Sequence, residues 1–283
     1  MIHSISADSL ISTKEYPIKS RPFVIGVAGG SASGKSEFCK QISEKLIDEF
    51  QLDPHSIIIL NASSFYKSLT QGNIELAADG RYNFDHPFAF DVDLMSLTLK
   101  SLAIGRKTEL YEYNFNTFQQ DSIGIIESCP SVILIEGILV LYFEELRNLF
   151  SMKVFLDVDS DTRLSQAVIR DTMSNSRRLK PIDLVLDEWL NHVKPSFEDY
   201  VLPSKKYADV VVPRGIDNIV AIDLIVQHIF DLWRSGHVGI RKKNAMYNSG
   251  SLDKTQEENS PSSPRLESFV FDNAESIYKP VPE

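Results

Sequence analysis

The segment Gly29-Gly30-Ser31-Ala32-Ser33-Gly34-Lys35-Ser36 is a complete G-x-x-x-x-G-K-S loop, and it constrains the fold more than any other feature of the chain. It follows a short apolar run, Phe23–Val27, and precedes a stretch in which Phe38, Ile42, Leu46 and Phe50 recur at helical spacing. Glycines let the backbone curl until successive N–H groups converge on phosphate oxygens. The following helix N-terminus adds partial positive charge at the same point. Lys35 is placed to reach β- and γ-phosphates, and the Ser36 hydroxyl to ligate Mg²⁺. A strand–loop–helix of this kind implies an α/β domain that binds a Mg²⁺–nucleoside triphosphate, with ATP and Mg²⁺ as the expected cofactors.

The rest of the chain repeats the strand–helix alternation. Buried strands are expected at Ser56–Leu60, Val132–Ile135, Lys153–Val158 and Ala208–Val212. Helices are expected from a cap at Asp91 to about Ala103, over Asp159–Asp171, from about Pro181 to the Pro195 region, and over Asp217–Trp233. Thr108–Phe115 and Ile123–Glu127 are strand-like and separated by polar residues, as in a hairpin laid beside the main sheet. Alternation of this length predicts a mainly parallel sheet covered on both faces, with ligands at the carboxyl ends of its strands. Val132–Ile135 runs directly into Glu136-Gly137, so Glu136 is expected beside the phosphate loop as a second metal-supporting group.

Composition narrows the function. The formal net charge of −10 opposes a general role on nucleic acid or anionic lipid. No apolar run reaches the roughly 18 residues of a membrane span, and residues 1–21 read as a flexible leader without secretory features. Cys39 and Cys129 form no close-spaced motif, which suits a reducing, cytoplasmic setting. From Ser235 the composition turns to Ser, Asn, Gly, Glu and Pro, a tail over 235–283 expected to be disordered. One folded domain over 22–234 remains. It carries neither an Asn-Lys-x-Asp guanine motif nor a Leu-Ser-Gly-Gly transporter signature.

Further blocks narrow the class. They are Pro22-Phe23-Val24-Ile25-Gly26-Val27-Ala28-Gly29-Gly30, Ser64-Phe65-Tyr66, Asn83-Phe84-Asp85-His86-Pro87 and Glu136-Gly137-Ile138-Leu139. They continue with Asp161-Thr162-Arg163-Leu164-Ser165, Arg170-Asp171, Val193-Lys194-Pro195, Lys205-Lys206-Tyr207-Ala208-Asp209-Val210 and Pro213-Arg214-Gly215. In this order, over about residues 21–233, the sequence resembles the uridine–cytidine kinases. The resemblance implies a five-stranded parallel sheet with helices on both faces, a β-hairpin over the acceptor site, and a homo-oligomer, often a tetramer. It implies transfer of phosphate from ATP to the 5′-hydroxyl of a pyrimidine nucleoside. By position, Asp85 would hold the ribose hydroxyls, Tyr66, Phe84, Tyr113 and Phe115 would wall the base, and Arg170 and Arg177 would approach the phosphates. Without the resemblance, ordinary core packing explains Tyr113 and Phe115 equally well.

Departures from the family pattern fall on the acceptor side. The aspartate that takes the proton from the 5′-hydroxyl is replaced by Ser63, the base-reading histidine by Phe118, and a nucleoside-directed arginine by Ala167. The lid's Arg-x-Arg appears as Asn175-Ser176-Arg177. A general base contributes about 10²–10⁴ in rate, so a slow kinase is expected. The alternative is an ATP-binding relative that acts as a binding or regulatory module.

Overall fold

A computed structural model describes residues 22–173, 179–234 and 269–270. The leader over 1–21, nearly all of the tail from 235, and Arg177 lie outside the described residues. The first half contains β1 (Phe23–Gly29), α1 (Lys35–Phe50), β2 (Ile57–Asn61), α2 (Gln71–Ala78), α3 (Val92–Ala103), β3 (Thr108–Asn114) and β4 (Gln119–Ile126). There follow β5 (Val132–Glu136), α4 (Glu144–Arg147), β6 (Met152–Asp157) and α5 (Ser160–Thr172). A bent helix comes next, made of α6 (Ile182–Glu188), α7 (Lys194–Ser196) and α8 (Leu202–Ser204) joined by π-helical turns at Trp189–Val193 and Phe197–Val201. It is followed by β7 (Val210–Pro213) and α9 (Ile219–Arg234).

Five parallel strands stand in the order β2-β5-β1-β6-β7. Two tail residues, β8 (Phe269–Val270), pair in parallel with Val210 and Val211 at the outer edge. Successive side chains of a strand point to opposite faces, and here both faces are apolar. Val24, Ala28, Ile133, Ile135 and Phe155 pack beneath α3 and the hairpin side. Ile25, Val27, Leu134, Val154 and Leu156 pack against α1 and α9 on the other. Burial on both sides explains why these strands are continuous apolar runs rather than alternating ones.

Most expected elements lie within a residue or two of their predicted ends. Asp91 caps α3 as its sequence position implied, its Oδ1 accepting from Leu94 N–H at 2.9 Å. Three differences have physical causes. Helix α2 lies inside a stretch that carried no apolar periodicity, and no residue in it is buried. Strand β4 begins at Gln119, before the apolar residues that suggested it, because polar side chains anchor its start: Gln119 Nε2 donates to Leu69 O and Gln120 Nε2 to Ser64 O. The helix after Pro181 does not stop near Pro195 but continues to Ser204, past Pro195 and Pro203. Proline cannot donate the usual α-helical bond. Each proline here follows a π-helical turn, where the widened backbone absorbs the missing donor.

Close packing reaches the backbone of the central strand. A Cβ on Gly26 would sit 2.4 Å from the Phe150 ring, which is itself buried against the same face. Gly26→Ala should therefore lower stability by about 1–3 kcal/mol, and adding Phe150→Leu should recover part of that loss. Urea midpoints of the three proteins measure this; a midpoint unmoved by the alanine would mean the ring gives way freely.

Candidate active site

The parallel register sets the site. Val27 on β1 and Asn61 on β2 both stand opposite Glu136 on β5, so three strands finish together at the carboxyl edge. The chain leaves β1 at Gly29, turns through Gly30–Gly34, and enters α1 at Lys35. Gly34 has φ +81 and Ala32 φ +61, the left-handed turns that aim the loop backbone inward. A side chain is excluded at Gly30, where a Cβ would lie 2.4 Å from Arg163 Nη1.

Within this cradle Lys35 is almost fully buried and its Nζ donates to Gly30 O at 2.8 Å. Burial pushes its pKa down, while Glu136 and then Asp85 oppose the shift. Ser36 Oγ donates to Glu136 Oε1 at 2.7 Å, which joins the first turn of α1 to the end of β5. Glu136 is 3% exposed.

These groups fit a magnesium nucleotide. Helix α1 starts after Gly34 with no side-chain cap, which leaves its first N–H groups available to phosphate oxygens. Among the described residues no three His, Cys, Asp or Glu side chains gather as a metal cage. Mg²⁺ needs no such cage, because it is held by one or two protein oxygens together with water and substrate phosphates. The Ser36–Glu136 pair is a donor set of that type.

A cavity of about 850 Å³ extends from the cradle. Its wall near the sheet carries Asn61, Ala62 and Ser63, and Glu136 and Gly137 beside them. Ser63 sits in a tight turn fixed by Asn61, whose Oδ1 accepts from Ser63 N–H at 2.8 Å. Asp85 lines the cavity, and its loop is tied to the bent helix through Asn83 Nδ2, which donates to Ser196 Oγ. Tyr66, Phe84 and Phe115 form an aromatic wall, with Tyr66 edge-on to Phe84 at 5.1 Å between ring centroids. Tyr113 stands behind this wall, 5.0 Å from Phe115, and its hydroxyl donates to Phe118 O at 3.0 Å.

The three departures from the family pattern occupy different places. Ser63 and Ala167 line the cavity directly. Phe118 is instead stacked on Phe84 at 6.2 Å, outside the cavity lining, in a left-handed conformation at φ +53. Arg170 reaches the cavity wall but is paired with its neighbour: Nε donates to Asp171 Oδ1 at 2.6 Å and Nη2 to Oδ2 at 2.8 Å. That hydrogen-bonded pairing with Asp171 raises the pKa of Arg170.

The bent helix supplies a wall that motif reading did not anticipate. Val185, Glu188, Trp189, His192 and Val193 all face the cavity. Their spacings of three and four place them on one helical face, inside the helix expected from Pro181, but spacing alone does not say what that face meets. Tyr82 and Gln166 complete the lining at its edges.

Comparison with known proteins places the chain in a family. Over 246 residues the chain is 42% identical to uridine-cytidine kinase 2-B of Danio rerio, covering 86% of this chain and 92% of that one. A chloroplastic uridine/cytidine kinase of Arabidopsis thaliana is 43% identical over 227 residues, which are 80% of this chain but only 44% of that longer protein. Among solved structures, a proposed fructose transport system kinase from a Silicibacter species superposes with a TM-score of 0.54 at 16% identity, covering 70% of this chain and 93% of its own. That likeness concerns the fold alone. The model of the phosphoribulokinase / uridine kinase family matches residues 24–221, which include the phosphate cradle, Glu136 and the aromatic wall. The chain belongs to the phosphoribulokinase / uridine kinase family.

Proposed function

We propose that this protein transfers the γ-phosphate of ATP to the 5′-hydroxyl of a pyrimidine nucleoside, uridine or cytidine, and does so slowly. The observation that carries the proposal is one continuous cavity with a phosphate cradle at one end and Asp85 with an aromatic wall further along. The likeness to the fish and plant kinases supports the choice of nucleoside. A cytoplasmic setting and assembly as a homo-oligomer, a tetramer by resemblance, belong to the same reading. Among the described residues no helix is long and apolar enough to cross a membrane.

Lys35 would neutralise charge gathering on the β- and γ-phosphate oxygens as the phosphoryl group moves. Ser36 and Glu136 would hold Mg²⁺, which supplies further charge neutralisation when bound. Asp85 would accept hydrogen bonds from the ribose hydroxyls, and Tyr66, Phe84 and Phe115 would stack around the base. Arg170 would approach the phosphates by exchanging its contact with Asp171, and Arg177 is assigned to the same task. Ser63 occupies the position from which a carboxylate would take the 5′-hydroxyl proton, and a serine cannot act as a base near neutral pH. Phosphoryl transfer passes through a loose transition state and depends chiefly on positioning and charge. Loss of the base therefore slows the reaction without abolishing it.

A second reading has its own support. Ser63 and Ala167 both line the cavity, so both losses are exposed to whatever ligand occupies it. An ATP-binding module without nucleoside kinase activity would keep the cradle and tolerate these changes.

Incubation with ATP, Mg²⁺ and each nucleoside, with chromatographic detection of the monophosphate, separates the two readings. Turnover of uridine or cytidine by the native chain is expected, and Ser63→Asp should raise kcat by about 10- to 100-fold. ATP binding with no transfer by either protein would favour the binding module. Glu136→Gln should raise the Mg²⁺ concentration needed for half-maximal rate, since it weakens one of two protein oxygens on the ion. Asp85→Asn should raise KM for the nucleoside far more than for ATP; equal effects on both would remove Asp85 from the acceptor site.

A further inference from the structure

Arg163 is the largest fully buried side chain, at 1% exposure. It projects from the first turns of α5 toward the phosphate loop. Its guanidinium lies flat against Gly30, so closely that a Cβ there would meet Nη1, Cζ and Nε within 2.9 Å. The opposite side is covered by the Phe197 ring, 3.9 Å from Cζ, with the Trp189 ring at 5.5 Å. Nε donates to Val158 O at 3.1 Å. Nη1 is buried with no hydrogen-bond partner among the described residues.

A buried cation in this state needs an explanation. Arginine stays charged inside proteins, and a buried charge without full pairing is costly. Burial depresses its pKa; Asp85, Asp157 and Asp159 oppose the shift only as distant charges. Arg163 also acts on Lys35, whose affinity for a proton it lowers. The guanidinium thus lies within electrostatic reach of both the phosphate cradle and Asp85 but does not line the cavity. The missing compensation is negative charge, and it is the loop backbone at Gly30 that packs directly against the guanidinium.

We propose that Arg163 is a positioning residue for the triphosphate, holding a fixed positive charge behind the phosphate loop and clamping Gly30 to the helical wall that carries Phe197 and Trp189. The inference rests on the reading of the loop as an ATP site. The charge is compensated when the phosphates arrive, so the nucleotide tightens the contact between loop and bent helix. A side chain at position 30 would have to displace this guanidinium.

The test uses the full chain and AMP-PNP with Mg²⁺, reading Kd by calorimetry and Tm with and without the nucleotide. Arg163→Met, which keeps the stem and loses the charge, should weaken AMP-PNP by about 10-fold or more and remove most of the nucleotide-induced rise in Tm. Arg163→Lys, which restores charge without the flat fork, should bind between the two. Phe197→Leu, outside the cavity, should weaken binding about 3-fold by releasing one side of the clamp, and it decides the matter should Arg163→Met not fold. AMP-PNP binding within twofold of native in Arg163→Met, Arg163→Lys no better than the methionine, or native affinity in Phe197→Leu would overturn the proposal. Failure of the native chain itself to bind AMP-PNP would overturn the ATP-site reading instead, and this inference with it.

Discussion

Everything at the site depends on the side-by-side ending of three parallel strands. The alignment of Val27, Glu136 and Asn61 brings the phosphate loop, a buried carboxylate and the Ser63 turn to one edge. Parallel pairing is what makes this possible, because it directs every carboxyl end the same way. The 2.7 Å bond from Ser36 to Glu136 then joins the first helix to the neighbouring strand. That single hydroxyl–carboxylate contact ties the loop's geometry to the sheet. Such a frame fixes the relative positions of the groups at this edge through backbone pairing and one side-chain bond, which is the condition for electrostatic stabilisation without reorganisation.

The phosphate loop and the rest of the cavity are held in different ways. Around the cradle the constraints are backbone turns and buried charge, with little freedom for any side chain to change. The rest of the cavity is walled by the rings of Tyr66, Phe84 and Phe115, by the Asn61-capped turn and by the bent helix. At Ser63 the turn is held through the backbone N–H and Asn61 Oδ1, a contact that does not involve the serine side chain. The chemistry at that position can change while the fold does not.

Legibility from sequence follows the same division. Gly29–Ser36 could be read at once because a strand, a glycine-rich turn and a helix N-terminus must occur together to make the loop. Glu136 followed from its place at the end of an apolar run. The aromatic wall was legible only through resemblance, and Tyr113 shows why: at 4% exposure, one ring behind the cavity, it satisfies the same local pattern as Phe115, which lines it. Arg170 lines the cavity, but its bond to Asp171 depends on rotamers that no spacing reveals. Helix α2, with no buried residue, left no periodic trace. The continuation of the bent helix to Ser204 was hidden by two prolines, whose usual meaning is reversed by the turns before them.

Those turns have a consequence of their own. A π-helical turn holds one more residue than the α-helical turn it replaces, so everything beyond it is rotated by about 100° relative to an unbroken helix. Two such turns, at Trp189–Val193 and Phe197–Val201, lie in the segment that closes the cavity. Converting either turn to ordinary α-helix at constant length would turn every later side chain by that angle, whereas deleting one residue from the turn would cancel the offset and leave both flanking faces where they are. Each turn is therefore a point of slack: the wall can gain or lose a residue there while the side chains on either side keep their bearing on the cavity and on the sheet.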